Sequence, residues 1–300
     1  YYSGMDGSYD ANGNHIFGEV TDDPDLLPEV SVGRFPVNDT AELRNMIHKS
    51  ISYQTNPVLE EFRQPLLAGE HLWSNPLTMG GDFMNLLIDD HADSGYFTHG
   101  IPSATNDITK LYDSIIQPGG SVWTWSAASL LALINQGTSF IHHLGHANYN
   151  YMMRLNISSI TNANFSMVNG TDHNYTFLYT QGCNTGEFDN ATCIAAKAVS
   201  IDNFLAGGVF NSRYGWFNEG SSDGPSQHLE REFVSAMYTD TMPDRHLGTA
   251  HRISKIKTAP WVTAPGQWEP GALRWCFYDC NALGDPALEI RIEEPTLFST

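Results

Sequence analysis

The chain has 300 residues, 41% apolar and 12% aromatic, enough to bury a full-sized core in one large domain or two closely packed ones. Thirty-four acidic residues against fifteen basic ones leave a net charge of −19, which repels nucleic acid and anionic lipid and sets both aside as partners. No apolar run reaches the ~20 residues of a membrane-spanning helix, no signal-peptide pattern is visible, and four cysteines are too few for a disulfide scaffold.

Residues 1–27 form a Gly-, Asp- and Asn-rich loop. Within it Asp6, Asp10, Asn12 and Asn14 place side-chain oxygens at alternating positions, Gly13 allows a sharp turn, and Glu19 could close a site. Oxygen-only ligands on a flexible loop suit Ca²⁺ better than Zn²⁺, and a structural Ca²⁺ is the expectation. An Asx-rich turn with no ion is the competing reading. A strand is expected at 29–34, then a helix at 40–54 with Leu43, Met46, Ile47 and Ile51 near helical spacing, capped by Asn38 or Asp39. Residues 64–69 read as a buried strand and 82–90 as a helix, while 109–113 is a short segment of open type. Residues 126–136 make an amphipathic helix stopped by Gly137, and the buried strand 139–144 delivers Gly145-His146 at its carboxyl end.

The pattern repeats further on. A buried strand at 177–181 ends at Gly182-Cys183, followed by a helix at 191–200, a strand at 207–212, a helix at 227–238 and a closing strand at 288–292. Strands alternating with helices predict an α/β sandwich around a mostly parallel sheet. Reactive groups in such sheets gather beyond the carboxyl ends of neighbouring strands, where His146 and Cys183 both fall. A cysteine nucleophile needs a nearby base and backbone N–H groups aimed at the developing oxyanion. Both residues stand in polar, Gly-flanked turns of the right character. A buried, inert Cys183 with an unrelated His146 is the alternative from spacing alone. His142-His143-x-x-His146 is not a zinc site, because 142 and 143 face opposite sides of a strand. Cys276 and Cys280, four apart, can pair only if the backbone turns suitably. Low lysine with abundant Asp, Asn, Gly, Tyr and Trp fits a secreted or cell-surface protein.

FIHHLGHANYNY (140–151) followed by FLYTQGCNTGEFDNATCIAAKAV (177–199) resembles the catalytic core of the gingipain family of cysteine peptidases. Segments 1–19, 28–37, 207–216 and 283–290 resemble others of that family in the same order, so the resemblance spans nearly the whole chain. It implies a three-layer caspase-like sandwich truncated at the amino end, with the acidic loop and the tail of a smaller subdomain in 1–60 and the catalytic subdomain in 61–300. By that resemblance Cys183 is the nucleophile and His146 the general acid/base. The resemblance also implies an oxyanion hole of the Ala147 and Cys183 backbone N–H groups and a Glu70 that orients the histidine, with an ordinary solvated glutamate as the competing reading of Glu70. Ala147 stands where a glycine is common, which matters only if the turn demands positive φ. Trp216 matches an aromatic of the primary pocket. Asp82 falls near its carboxylate, which would select Arg or Lys by a charge-assisted hydrogen bond, although a helix-end aspartate is the competing reading. The implied function is a secreted cysteine endopeptidase that needs no cofactor for catalysis, acts on protein or peptide substrates and is joined to further domains of a precursor. The rival is a catalytically silent binding or structural module of a larger surface protein.

Overall fold

A computed structural model describes residues 2–93, 95–115, 122–190, 192–239, 245–263, 269 and 271–294. Its centre is a six-stranded sheet: β1 (Leu66–Gly69), β2 (Thr109–Tyr112), β3 (Phe140–Leu144), β4 (Thr176–Thr180), β5 (Leu205–Asn211) and β6 (Cys280–Gly284), in spatial order β6-β5-β4-β3-β1-β2. All pairings are parallel except β5 with β6. Strands β1, β3, β4 and β5 are buried along their whole length, which is why they appear in the sequence as apolar runs rather than alternations.

Helices cover both faces, and the strand period decides which side chain meets which layer. Leu66, Ala68, Ile141 and Leu178 point to one face, where they meet Met46 of α1 (Thr40–Thr55), Leu130 and Ile134 of α3 (Ala127–Ile134) and Ile194 of α4 (Ile194–Ser200). Phe140, Phe177 and Tyr179 point to the other, against Leu229 and Phe233 of α5 (Pro225–Tyr238), Ala250 of α6 (Leu247–Thr258) and Cys276 of α7 (Ala272–Asp279). Leu67 and Leu144 on that second face also hold Phe83 of the short α2 (Gly80–Asn85). The three-layer α/β arrangement is therefore as expected. No helix among the described residues is long and apolar enough to cross a membrane.

Several elements depart from the sequence reading. The expected strand at 29–34 is reduced to one bridge between Arg34 and Leu283, and that at 288–292 to one between His246 and Glu289. The helix expected at 82–90 starts earlier and stops at Asn85, and Asp89 takes a left-handed φ of 56°. Residues 109–112 are the outer parallel strand, and α6, α7 and β6 are additions. Helix α4 begins at Ile194, with Cys193 as its N-cap; Ala191, where the sequence reading starts it, lies outside the described residues. All four cysteines are free thiols. Cys276 and Cys280 contact different partners, Ser226 Oγ and Tyr179 Oη, each at 3.4 Å.

The opening loop brings three of the five expected calcium ligands, Asn12, Asn14 and Glu19, together at the Glu19 carboxylate. Asn12 and Asn14 turn their amide nitrogens to Glu19 Oε2 at 3.2 and 2.6 Å, while their oxygens accept the backbone N–H of Asn14 and Ile16. Asp10 pairs with His15 at 3.2 Å. These are Asx turns, which satisfy the loop backbone locally. Of the five predicted ligands, Asp6 alone joins a carboxylate cluster, and its companions are Asp25 and Glu29, with one oxygen from each within 4.8 Å of the others.

Candidate active site

The register of β3 and β4 positions the site. His143 pairs with Thr180, and three residues beyond each partner stand His146 and Cys183. Both side chains line one narrow cleft, together with Leu72, Gln181, Gly215, Trp216 and Phe217. The sequence-predicted pair is thus brought together, along with the predicted Trp216.

Two glycines make this approach possible. A Cβ on Gly145 would stand 2.4 Å from Glu70 Cδ and 2.6 Å from His143 Nε2, so the turn before His146 lies directly on that buried pair. A Cβ on Gly182 would meet the Ala147 methyl at 2.5 Å, so the turns that carry His146 and Cys183 pack against each other at that point. Ala147 is not among the positive-φ residues, so alanine fits its turn without strain. The Ala147 and Cys183 N–H groups have no backbone acceptor among the described residues. The neighbouring amides are engaged: Gly182 N–H donates to Thr180 Oγ1 at 3.1 Å and Asn184 N–H to the Arg213 carbonyl at 2.6 Å. Asn184 takes a φ of 57°, and a two-pronged Arg213–Asp189 pair at 3.0 and 2.7 Å clamps the loop that follows.

His146 donates from Nε2 to the Leu72 carbonyl at 2.8 Å, and its ring meets Phe217 edge-on at a centroid distance of 6.4 Å. That bond selects the tautomer with hydrogen on Nε2 and leaves Nδ1 as the basic nitrogen of the neutral ring. The Cys183 thiol donates to the Gly215 carbonyl at 3.5 Å. Burial pushes this thiol above its ordinary pKa, and the Asp279 carboxylate adds to the effect.

Glu70 and Asp82 stand elsewhere than the sequence reading put them. Glu70 is 6% exposed, and its carboxylate accepts from His143 Nε2 at 3.2 Å instead of from His146. His143 Nδ1 meets Thr180 Oγ1 at 2.7 Å, and that oxygen also receives the Gly182 N–H. Glu70 therefore supports the Cys183 turn through His143 and Thr180. Asp82 is exposed on the first turn of α2, close enough to Tyr112 to help raise the phenol's pKa after burial, and it does not line the cleft with Trp216. The cause is local: Gly81 packs on the Tyr112 ring at the end of β2, so the helix begins beside the outer strand and turns Asp82 away from β3 and β4.

A second buried network lies under the cleft on the opposite sheet face. Glu230 of α5 is fully buried, and its carboxylate meets His142 Nδ1 at 2.9 Å and the Gln181 amide. Burial raises the Glu230 pKa, opposed by His142. His142 and His143 thus serve opposite faces, as strand geometry requires. Glu230, Gln181 and the Leu72 and Gly215 carbonyls escaped the sequence reading. Carbonyls carry no side-chain signal, but a glutamate on the core-facing side of 227–238 was one.

The family profile described as Peptidase family C25 matches residues 1–291. The fold is similar to the crystal structure of the Arg-specific cysteine proteinase gingipain R, with 16% identity and a TM-score of 0.67, covering 91% of this chain and 58% of that one. The complex of Porphyromonas gingivalis RgpB pro- and mature domains matches at 15% identity and TM-score 0.66, covering 91% and 59%. A structure described as a protease matches at 13% and 0.61, covering 98% and 60%. The chain thus spans about three-fifths of the length of these solved relatives. No curated protein sequence matches it significantly.

Proposed function

Because the chain belongs to peptidase family C25, we propose that it is a secreted or surface cysteine endopeptidase whose nucleophile is Cys183 and whose general acid/base is His146. The observation that carries this reading is the meeting of the two side chains in one cleft, at equal offsets beyond a paired position of two parallel strands. The Cys183 thiol gives its proton to His146 Nδ1 as sulfur attacks a peptide carbonyl, and the N–H groups of Ala147 and Cys183 receive the oxyanion. His146 then protonates the leaving amine, and water hydrolyses the thioester. Leu72 holds the imidazole in the required tautomer, and Glu70 acts at one remove by holding the nucleophile's turn through His143.

For primary specificity the cleft supports an uncharged residue before the scissile bond. Leu72, Leu144, Trp216 and Phe217 supply apolar walls, and no carboxylate lines it among the described residues. Selection of Arg or Lys through Asp82 has no support in this geometry. Calcium is proposed for the Asp6, Asp25 and Glu29 carboxylates, an oxygen-only set suited to that ion.

A peptidyl acyloxymethyl ketone tests the site. It should alkylate Cys183 in the native enzyme, seen as a single mass shift at that residue, and the His146→Ala variant should label far more slowly. An unlabelled Cys183, or labelling that ignores His146, would favour the silent binding module. The resting thiol, half-buried and bonded to a carbonyl, is the observation on that side.

A further inference from the structure

A second concavity lies away from the cleft and shares no lining residue with it. It has a volume of about 290 Å³ and is bounded by the extended segment through Val30, Val32 and Arg34, by α6, and by Phe277 and Tyr278 at the end of α7. Its chemistry is opposite to that of the rest of the molecule. Arg34, Arg252 and Lys255 converge on it, three of only fifteen basic residues, and among the described residues no Asp or Glu lines it in a chain of net charge −19. Arg34 stacks on the Phe188 ring at 4.1 Å, and neither it nor Arg252 pairs with a carboxylate among the described residues. Lys255 donates to the Phe277 carbonyl at 2.6 Å and lies over the Phe277 ring.

One buried group on the wall lacks a partner. His251 is 7% exposed, and its Nδ1 has no hydrogen-bond partner among the described residues. The ring also bonds the Cys280 backbone, whose N–H is already spent on the Cys276 carbonyl, so the imidazole donates to the Cys280 carbonyl. Nδ1 is then left with a bare lone pair that calls for an N–H or O–H donor. A buried polar atom of this kind destabilises the fold unless it is satisfied. The walls accordingly offer cations for an anion, one acceptor for a donor, and aromatic and Val surface for an apolar body.

We infer that this cavity is a binding site for a carboxylate with an adjacent amide N–H and an apolar side chain, the chemistry of an N-acylamino acid or of a peptide's C-terminal residue. The carboxylate meets Arg252, Arg34 and Lys255, the amide N–H meets His251 Nδ1, and the side chain lies against Phe277, Tyr278 and Val30. The assignment goes beyond the peptidase reading and does not depend on it.

Calorimetric titration of the full chain tests it, with the Cys183→Ala variant used to keep turnover out of the measurement. The probes are N-acetylphenylalanine, its neutral amide, and a short peptide ending in a free Phe carboxylate. Binding of the acid is expected, with the amide at least tenfold weaker. Arg252→Gln and Arg34→Gln, checked for native melting, should each weaken the acid at least tenfold, and Trp216→Ala in the catalytic cleft should leave it unchanged. Tighter binding of the peptide than of the free acid would assign the site to chain ends; the reverse would assign it to small acids. Equal binding of acid and amide, no binding of either, or an affinity that follows Trp216 would overturn the assignment. None of these results reads Cys183 chemistry, so the labelling experiment stands or falls separately.

Discussion

At the scale of single residues, charge and burial act on two acids that the chemistry leaves exposed to test. Cys183 has its thiol raised by burial, so its alkylation by iodoacetamide should be slow at pH 7 and climb with a midpoint above that of free cysteine. A midpoint below free cysteine would mean a preformed thiolate–imidazolium pair and would contradict the resting geometry. Asp279, 5% exposed, has its carboxyl pushed up to about 8, mainly by burial. Since the unfolded value is ~3.9, the native state keeps a proton that the unfolded chain loses. Stability contributed at this site therefore falls as pH rises from about 4 to about 8. Asp279→Asn should flatten that window and melt above the wild type at pH 8; an unchanged pH–melting profile would remove Asp279 as its cause.

At the scale of elements, what the sequence reveals follows from how completely an element is buried. Strands β1, β3, β4 and β5 stand out because both faces are covered, and α1 because Asp39 caps it by accepting from the N–H of Ala41 and Glu42 at 2.8 and 2.9 Å. Asp39→Ala should cost about 1 kcal/mol, read as a lower midpoint in urea. No shift would place the helix's stability wholly in its packing. Outer strand β2 is hidden because its residues, TKLY, are only partly buried. The α7–β6 passage is hidden because the chain goes from helix to strand at Cys280 with no turn residue between them. The segment 288–292 alternates like a strand, yet Leu288 and Ile290 are buried against the α5–α6 layer with a single bridge to His246. The same logic divides the site. His146 and Cys183 were legible because they end buried strands in Gly-flanked turns. Glu70 was legible as a charge after an apolar run, but not its partner, because His143 and His146 lie three apart and only the sheet register tells which one faces it.

At the scale of the whole molecule, charge is the organising fact. An acidic surface with three clustered carboxylates at Asp6, Asp25 and Glu29 invites a divalent cation, and the Asp6 carboxyl is raised by its Asp25 neighbour first and Glu29 next. Binding to the native state alone raises stability by mass action, so melting should move up in millimolar calcium and down with chelator, and Asp25→Asn should abolish the difference. Superimposed curves would show that the loop is held by its Asx turns alone. The same acidity would attract basic peptides non-specifically, so the proposed specificity must be compared at high salt, where such steering is screened. Under those conditions cleavage should fall after uncharged residues and Asp82→Asn should change little. A strong Arg or Lys preference lost on that substitution would put Asp82 in the pocket after all.

The central claim is the Cys183–His146 pair, and peptide-library cleavage by the wild type beside Cys183→Ala and His146→Ala tests it most directly. The account predicts hydrolysis by the wild type and a loss of about 10³-fold or more in each variant, with native melting retained in both. Substantial cleavage by either folded variant would contradict it.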